Sequence, residues 1–581
     1  MKKMNTKLFY YLLVIAFVFS CRFMLPQTKA EKIENLLNQY YNYKVFNGSA
    51  LVSEGGTVIF KKGFGMANME WNIPNTPDTK FRIGSMTKQF TAMLIMQLVE
   101  EGKLKLHVPL TTYIPNYPMD KGDKITIHNL LTHTSGIPNY TDLPSFPNII
   151  RNPITPLELI KTFWDLPLEF EPGTKFHYSN SGYIVLGYII EKVTGKSYED
   201  VLKEKIFEPL GMKNSGYDHT ADIIPKRASG YDKIGTEYYN TSYLDMSVPY
   251  SAGSLYSTVE DLYLWDQALY TGKLLSKKYM DKIFTPYSKP PFAEGYGYGW
   301  GLSKKHLDNV KDSLDIATHG GTINGFNSLI LRITNSKDLI VLLNNTGVTN
   351  LNEISNKIND ILYDQPYEAP QKPLMLSFTE ILNKTGIDEA SDFYNKKIDE
   401  GEKIPEFSMN MLGYNYLNKK KYNEAIGIFK LNVKAYPKSY NVYDSYGEAL
   451  MLSGDKEDAI VNYKKSIEMN PHNENGIEKL KELGVDVQLP EAVNVNPKVY
   501  DSLTGKYELN PQFTLTITRE GDKLYVQGTG QPKIELFPKS ELEYYVKIVD
   551  AQITFIKDGS GKIVKFILHQ NGKDMPCEKI E

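Results

Sequence analysis

The sequence predicts a multidomain protein with an α/β domain, an α-helical repeat domain and an all-β, barrel-like domain, in that order. Three patterns predict this organisation. Apolar helices alternate with β-rich segments up to residue 363, a period of 34 residues recurs in the middle of the chain, and short alternating segments fill residues 499–581. A chain of 581 residues is also too long for one hydrophobic core.

The composition is that of an ordinary soluble globular protein, with 41% hydrophobic and 23% charged residues. Acidic and basic residues are well mixed and give a net charge of -3, so nothing favours a nucleic-acid partner. The two cysteines, Cys21 and Cys577, cannot build a disulfide framework. We therefore expect hydrophobic cores to stabilise the domains.

The first 30 residues are predicted to be a signal peptide. A basic segment precedes an apolar run at 8–19, which is shorter than the roughly 20 residues of a membrane-spanning helix. Residues 18–21 resemble a bacterial lipoprotein cleavage site, which would leave a lipid on Cys21 and attach the protein to a membrane. Ordinary cleavage near Ala30 would instead remove Cys21. Both interpretations predict export to the bacterial cell envelope.

The stretch 81–101, FRIGSMTKQFTAMLIMQLVEE, predicts the central helix of the first domain. The residues after Lys88 are apolar on nearly every side, which is the pattern of a buried helix. Ser85 and Lys88 are three residues apart and so share one face of its first turn. Burial lowers the proton affinity of a lysine, so Lys88 could take the proton that makes Ser85 a weak nucleophile. Ser-x-x-Lys alone is a common surface pattern and does not decide the function.

Two later motifs offer partners for this pair. Tyr178 and Asn180 precede an apolar, helical segment at 182–191, and alternation along an extended backbone lets both side chains point the same way. A tyrosine can pass on a proton if nearby cations lower its pKa from about 10, and an asparagine can hold a substrate amide or the Lys88 amine. His319 precedes two glycines on a predicted strand, where a ligand can approach the backbone closely. Taken singly, each motif is also compatible with a plain turn.

Other segments are predicted to be structural. Residues 48–67 carry two β-rich runs around Glu-Gly-Gly, which predicts a hairpin, and residues 295–343 predict an antiparallel meander. His133, in the loop LLTHTSGIP, is interpreted as a hydrogen-bonding fixture. The stretch 251–260 is interpreted as purely structural, with a capping box from Ser257 that opens a helix.

The three motifs around Ser85, Tyr178 and His319 occur in this order, together with LLTHTSGIP and a Tyr-Gly-Tyr-Gly-Trp strand. This set resembles the penicillin-recognising serine hydrolases, the group of class C β-lactamases, D-alanyl-D-alanine carboxypeptidases, D-aminopeptidases and related esterases. The resemblance covers roughly residues 35 to 362. It implies a β-lactamase-like α/β domain in which a mixed antiparallel sheet and a helical lobe enclose the active site.

The same resemblance implies catalytic roles for three side chains. Ser85 would be the nucleophile that forms an acyl-enzyme, and Lys88 would shuttle or withdraw its proton. Tyr178 would act as general base and then as acid to the leaving group. Whether Lys88 or Tyr178 is the base stays open at this point.

Substrate-binding roles follow from the resemblance as well. Asn180 would orient the substrate and the catalytic lysine, and His319 would line the cleft and help the proton relay of the tyrosine. Gly321 and Thr322 follow it on the same strand. The backbone N–H groups of Ser85 and Thr322 would form the oxyanion hole.

The third motif departs from the β-lactamases of this group, which usually carry Lys-Thr-Gly where this chain has His-Gly-Gly. His-Gly-Gly is more typical of the peptidases and esterases, so the resemblance implies hydrolysis of amide or ester bonds, with D-amino-acid peptides as the favoured substrates. The alternatives are a penicillin-binding sensor or scaffold with slow or no turnover, and a β-lactamase or esterase. No cofactor or metal is implied, because the histidines and cysteines show no ligand motif.

Residues 375–486 are predicted to be tetratricopeptide-like helical repeats, between linkers at 364–374 and 487–498. Glycine, alanine and proline recur 34 residues apart, as Gly413 and Gly447 show. Such an array could bind a protein or peptide partner in a groove, or it could serve as a spacer. The sequence leaves both possibilities open.

The carboxy-terminal segment alternates in seven or eight short β runs, the first at 503–509, which predicts an antiparallel barrel or sandwich. It resembles the small lipocalin-like barrel often appended to such hydrolases, and no ligand is assigned to it. The predicted boundaries are 1–30 for the signal peptide, 31–363 for the hydrolase domain and 499–581 for the β domain.

Overall fold

The structure is a computed structural model. It describes residues 27–307, 313–347, 349–471, 473–487, 495–510, 513–529, 531, 533–546, 551–570 and 573–581. The predicted signal peptide up to residue 26, with Cys21, lies outside the described residues, as does most of the second predicted linker. In the described part of the chain, every helix is too short or too polar to cross a bilayer.

A seven-stranded antiparallel sheet organises the first domain, with the strand order β10-β11-β12-β13-β14-β1-β2. The predicted hairpin and meander are both confirmed. They form one sheet because the first strand of the hairpin pairs with the last strand of the meander. Small sheets of two or three strands complete the domain. The strands are β1 Gly48–Glu54, β2 Thr57–Phe64, β3 Met66–Asn68, β4 Ile73–Pro74, β5 Phe81–Arg82, β6 Gly216–Tyr217, β7 Tyr231–Ile234, β8 Glu237–Asn240, β9 Leu255–Ser257, β10 Gly295–Tyr296, β11 Gly301–Lys305, β12 Leu314–Ile323, β13 Phe326–Ile333 and β14 Asp338–Asn344.

Helices cover both faces of this sheet, which is why the central strands β1 and β14 are apolar and buried along their length. The first and last helices of the domain pack on one face, and the central helix with the helical lobe packs on the other. The helices are α1 Lys29–Asn42, α2 Thr87–Glu100, α3 Met119–Gly122, α4 Ile127–Leu131, α5 Phe146–Ile149, α6 Pro156–Lys161, α7 Asn180–Thr194, α8 Tyr198–Leu202, α9 Glu208–Leu210, α10 Tyr250–Gly253, α11 Val259–Ala268, α12 Lys277–Ile283 and α13 Leu351–Leu362.

The central helix α2 is buried on every side from Thr87 to Leu98, as its sequence predicts. A 3₁₀ turn over Gly84–Met86 leads into it, so Ser85 lies on this turn and Lys88 in the first turn of the helix. The helix ends before Gly102, which adopts a φ of 74° that favours glycine. This burial places the two side chains in the interior between the sheet and the helical lobe.

Antiparallel helices follow the first domain. Corresponding helices begin at Glu406 and Tyr440, and at Tyr422 and Lys456, which reproduces the period of 34 residues. The helical segment is therefore as the periodicity predicts, whereas its assignment to the tetratricopeptide class stays a prediction. The helices are α14 Leu374–Thr385, α15 Ile387–Asp399, α16 Glu406–Asn418, α17 Tyr422–Ala435, α18 Tyr440–Ser453, α19 Lys456–Met469 and α20 Glu474–Glu482.

The carboxy-terminal segment forms a closed antiparallel barrel of eight strands, which decides between the predicted barrel and sandwich. One prediction was wrong: the run at 503–509 is not all strand, because a short helix, α21 Pro497–Leu503, precedes the first strand. Closure of the barrel pairs the first and last strands and so leaves no free sheet edge. The strands are β15 Gly505–Asn510, β16 Phe513–Glu520, β17 Lys523–Gly528, β18 Ile534–Pro538, β19 Glu543–Val546, β20 Ala551–Lys557, β21 Ile563–Gln570 and β22 Lys573–Lys579.

Candidate active site

Lys88 is fully buried beside Ser85 and is surrounded by neutral acceptors. Its Nζ donates to Ser85 Oγ at 3.0 Å, to Asn180 Oδ1 at 2.8 Å and to the carbonyl oxygen of Ala252 at 2.9 Å. Burial lowers the pKa of Lys88 well below its ordinary value of 10.5. A neutral amine has two N–H bonds, which can go to Asn180 and Ala252, and its lone pair can then face Ser85 Oγ and accept the hydroxyl proton.

Tyr178 completes this group from the loop before α7. Its ring lies 4.9 Å from Lys88 Nζ and packs on the ring of His133 at a centroid distance of 4.3 Å. Burial raises the pKa of Tyr178, and a hydrogen bond with Ser85 opposes part of that increase. The expected lowering of this pKa is therefore wrong: burial keeps the phenol protonated near neutral pH, which makes it a poor base but leaves it a proton to give to a strongly basic leaving group.

Asn180 is the first residue of α7, and a neighbouring asparagine holds it in place. Asn139 Oδ1 accepts from the backbone N of Asn180 at 3.0 Å and from its Nδ2 at 3.2 Å. With both donors directed to Asn139, the side-chain oxygen of Asn180 is free to accept from Lys88. The helix start thus fixes the direction of one Lys88 hydrogen bond.

Two histidines meet at the hydroxyl of Tyr296. His133 Nε2 lies 3.2 Å and His319 Nε2 3.1 Å from this oxygen. His133 Nδ1 also accepts from the backbone N of Ser179 at 3.1 Å, next to Tyr178. This contact agrees with the interpretation of His133 as a fixture. The ring centroids of His319 and Tyr178 are 6.4 Å apart.

Both histidines are held in the neutral form. Burial is the main cause that lowers the pKa of His319 to about 4. Burial is also the main cause that lowers the pKa of His133 well below its ordinary value. The site therefore offers no imidazolium to a substrate carboxylate near neutral pH.

The strand β12 and the 3₁₀ turn approach each other closely at two glycines. A Cβ on Gly321 would stand 2.0 Å from the carbonyl oxygen of Ile83 and 2.9 Å from the backbone N of Ser85. Gly84 has a φ of 51°, and a Cβ there would stand 3.0 Å from the backbone N of Thr322. These contacts bring the N–H groups of Ser85 and Thr322 to facing backbone segments, an arrangement that can stabilise an oxyanion.

A cavity of about 160 Å³ opens on Ser85, and none of its described lining residues is charged. Its polar side chains include Asn180 and Thr322, and its apolar wall comes from the loop before α10 and from the helical lobe. Such a cavity accepts a small, uncharged part of a substrate, such as a methyl group. The lining residues are Gly84, Ser85, Tyr140, Thr141, Phe146, Asn180, Leu244, Val248, Pro249, Ala252, Gly253, Thr322, Ile323 and Asn324.

Three contributors to the site were missed in the sequence: Asn139, Tyr296 and the carbonyl of Ala252. The interpretation of 251–260 as purely structural was incomplete, since Ala252 accepts from Lys88. Its capping residue also differs, because Thr258 rather than Ser257 caps α11. Asn139 directly follows LLTHTSGIP and Tyr296 opens the Tyr-Gly-Tyr-Gly-Trp strand, so these two positions belonged to or adjoined recognised motifs, although neither was given a role.

With this geometry established, comparisons with known proteins identify the family. The Beta-lactamase family matches residues 31–365, more than half of the chain. The chain therefore belongs to the β-lactamase family and is a serine hydrolase. A second family, a domain of unknown function (DUF3471), matches residues 489–579, which include the barrel.

Individual relatives agree with this family. A Bacillus subtilis (strain 168) sequence, PbpX, named for penicillin binding, is 35% identical over 57% of this chain and 78% of its own length. Teichoic acid D-alanine hydrolase of Staphylococcus aureus (strain NCTC 8325 / PS 47) is 29% identical over 57% of this chain and 79% of its own length. The crystal structure of D-amino acid amidase from Ochrobactrum anthropi SV3, complexed with L-phenylalanine amide, superposes with a TM-score of 0.50 at 26% identity, over 57% of this chain and 97% of that one.

Proposed function

We propose that the protein hydrolyses amide or ester bonds of D-amino-acid derivatives, including D-amino-acid peptides, through an acyl-enzyme on Ser85. This proposal depends mainly on the neutral environment of Lys88, whose Nζ lies 3.0 Å from Ser85 Oγ. The names of two relatives, a D-amino acid amidase and a D-alanine hydrolase, support the substrate class. The predicted signal peptide would place this activity in the bacterial cell envelope.

The proposed reaction begins with proton transfer from the Ser85 hydroxyl to the neutral Lys88 amine. Burial raises the pKa of Tyr178 and lowers that of Lys88, which favours Lys88 as the base. Ser85 Oγ then forms a bond to the substrate carbonyl carbon. The N–H groups of Ser85 and Thr322 stabilise the resulting oxyanion.

Collapse of this intermediate breaks the bond to the leaving amine or alcohol, which takes a proton from Tyr178. The proton that Lys88 took from Ser85 then replaces the one that Tyr178 gave up, and Nζ lies 4.9 Å from the centroid of the tyrosine ring. Water then attacks the acyl-enzyme with the same groups acting in reverse, and Ser85 is regenerated. Asn180 keeps Lys88 aligned throughout.

The uncharged cavity favours simple amides and esters over β-lactams. A penicillin carries a carboxylate close to its reactive ring, and a cationic side chain beside that carboxylate would stabilise the bound penicillin. In this chain His319 stands where the β-lactamases of the group carry the lysine of Lys-Thr-Gly. Burial lowers the pKa of His319 to about 4, so this histidine is neutral. The described residues that line the cavity, which do not include His319, supply no cation either. We therefore expect β-lactams to be poor substrates.

The test is intact-protein mass spectrometry with D-alanine p-nitroanilide, a D-alanyl ester and a penicillin, combined with turnover assays. We expect a transient adduct and product release with the D-alanyl compounds. Ser85→Ala should lose both while its thermal unfolding stays unchanged, because only one hydroxyl is removed. Ser276→Ala, an exposed serine away from the cavity, is the control and should keep full activity.

Two results would contradict this function. Turnover that survives in Ser85→Ala would remove the nucleophile assignment. A stable penicillin adduct on Ser85 without turnover of any D-alanyl compound would instead indicate a penicillin-binding sensor.

A further inference from the structure

The segment 138–144 separates the catalytic cavity from a second, much larger cavity of about 910 Å³. Tyr140 and Thr141 line the catalytic side of this segment. The residues on either side of them line the large cavity, which lies between the hydrolase domain and the barrel. We call this large cavity the barrel cleft. The residues of the segment 138–144 that line the barrel cleft are Pro138, Asn139, Asp142, Leu143 and Pro144.

The sizes of the two cavities differ in a way that matters for substrates. Ligand pockets in proteins typically measure about 300–1,000 Å³. The catalytic cavity, at about 160 Å³, is below that range, and the barrel cleft is near its upper end. A substrate larger than one amino-acid derivative must therefore place the rest of its length outside the catalytic cavity, and the barrel cleft begins one segment away.

The two walls of the barrel cleft have complementary chemistry. The hydrolase wall is mainly apolar, with Leu166, Pro167 and Leu168 beside the segment 138–144. The barrel wall carries hydroxyl and amide side chains on β16 and β17, among them Thr516 and Gln527. A peptide matches both walls, because its backbone amides can pair with the polar side and its apolar side chains can pack on the other.

The charges of the barrel cleft favour a peptide over a polyanion or a neutral glycan. Lysines and carboxylates both line it, and some pair internally, such as Lys506 with Glu581 at 2.7 Å. In the described part of the chain, Lys175 and Asp142 line the cleft without forming an ion pair. A peptide carries amino and carboxyl groups that could satisfy both. The carboxylates of the cleft would repel a polyanion. A neutral glycan would give neither Lys175 nor Asp142 a partner of opposite charge.

The barrel cleft is connected to the catalytic group through Asn139. This side chain lines the cleft and also holds Asn180, which accepts from Lys88. A ligand that orders the segment 138–144 therefore also stabilises the orientation of Asn180. Binding energy from a remote part of the substrate can in this way support catalysis.

We propose that the barrel cleft is a peptide-binding site that holds the residues of a peptide substrate beyond the scissile bond. This inference rests on the proposed function, since it extends the substrate from a D-amino-acid derivative to a peptide several residues long. It also assigns a role to the barrel, whose Thr516 and Gln527 would contact the peptide.

The test compares kcat/KM among peptides of two to six residues that carry the same scissile D-alanyl bond, so that only the length differs. In the full-length protein we expect kcat/KM to rise by about tenfold or more with length, the usual gain from a few good contacts. Thr516→Trp, which fills the cleft, and Gln527→Ala, which removes a polar contact, should each reduce the ratio of the long to the short substrate. Gln570→Ala, a barrel glutamine that does not line the cleft, is the matched control and should keep the wild-type ratio.

Binding measurements separate this proposal from the proposed function. A fluorescent hexapeptide titrated into Ser85→Ala should bind, and binding should weaken about tenfold when Thr516→Trp is added. Short D-alanyl compounds that turn over without any dependence on peptide length would overturn the cleft alone. Peptide binding in the cleft without turnover of any D-alanyl compound would overturn the proposed function alone. Stronger competition by a polyol phosphate or a neutral glycan than by peptides would show that the ligand class is wrong.

Discussion

Two buried basic side chains in the hydrolase domain, Lys88 and Arg332, differ in the charge of the groups that accept their hydrogen bonds. Both expose 1% or less of their surface. Arg332 Nε donates to Asp266 Oδ1 at 2.5 Å, and that carboxylate is buried as well. Lys88 instead donates to a hydroxyl, an amide and a backbone carbonyl, all of them neutral.

The contrast shows how burial separates a structural cation from a reactive one. A guanidinium with a carboxylate partner keeps its charge, and Arg332 also lies over the ring of Tyr270 at 4.7 Å and that of Trp300 at 5.4 Å. An amine without a carboxylate loses proton affinity, so the pKa of Lys88 falls and the group can exchange protons. A buried cation that keeps a carboxylate partner is therefore a structural group, whereas a buried amine without a carboxylate partner can take part in proton transfer.

The largest expected effect is on activity, at Lys88. Lys88→Met should reduce kcat/KM by about 10²–10⁴-fold, because it removes the group that takes the Ser85 proton. The thermal unfolding temperature should change little, since no buried counter-charge is left behind. Steady-state kinetics and calorimetry on the same preparation measure both quantities.

Lys233→Met is the control for this substitution. Lys233 is a partly buried lysine whose pKa burial lowers to about 8, but it lies on the hairpin strand β7 and not at the cavity. It should keep wild-type activity. Equal losses in both variants would show that burial of a lysine, rather than its position, explains the effect.

The next effect is on stability, at Arg332. Arg332→Met should lower the free energy of unfolding by about 3–5 kcal/mol, because it leaves the Asp266 carboxylate buried without a cationic partner, with the hydrogen bond from Gln267 still in place. Adding Asp266→Leu should recover much of this loss. Urea denaturation of the single and double variants checks the prediction, and a double variant no more stable than the single one would refute it.

A pH effect on stability should follow at His319. Burial lowers its pKa from an ordinary 6.5 to about 4, so between these values the unfolded chain binds a proton that the native protein does not. Stability is thus complete above pH 6.5 and falls by up to about 3 kcal/mol as the pH drops towards 4. His133, whose pKa is lowered in the same direction, adds to the loss. Denaturation curves of His319→Asn should show a smaller decrease over this range than the wild type.

The smallest effect is expected for an exposed charge pair. Lys277 and Asp281 on α12 lie 2.7 Å apart, and their side chains are 86% and 60% exposed. Lys277→Ala should change the free energy of unfolding by no more than about 0.5 kcal/mol, because water and salt screen the pair. A loss comparable to that of Arg332→Met would show that pairing alone, without burial, determines the contribution.

Local patterns were sufficient for much of this fold. The apolar run after Lys88 predicted the buried helix α2, and the Glu-Gly-Gly turn predicted the hairpin of β1 and β2. Alternation predicted most barrel strands, although the run from Leu503 was assigned to a strand too early because α21 ends there. Apolar periodicity and turn chemistry depend on near neighbours, so such segments can be recognised without the rest of the protein.

The candidate site was only partly predictable. Ser85, Lys88, Tyr178, Asn180 and His319 come together as the motif order suggested. The hydrogen-bond partners that orient them were not evident. Asn139 and Tyr296 adjoin or open recognised motifs, but the motifs do not say which side chains they contact, and a backbone carbonyl such as that of Ala252 has no sequence pattern at all.

By itself the sequence determined the order of the elements and the position of the serine and lysine at the start of the central helix. Only the tertiary structure decided that Lys88 has neutral partners, because Asn180 and Ala252 lie 92 and 164 residues away along the chain. It also decided that the barrel wall stands beside the segment 138–144. The proton affinity of a buried amine, like the shape of a cleft, depends on every group within a few ångströms, whatever its distance in sequence.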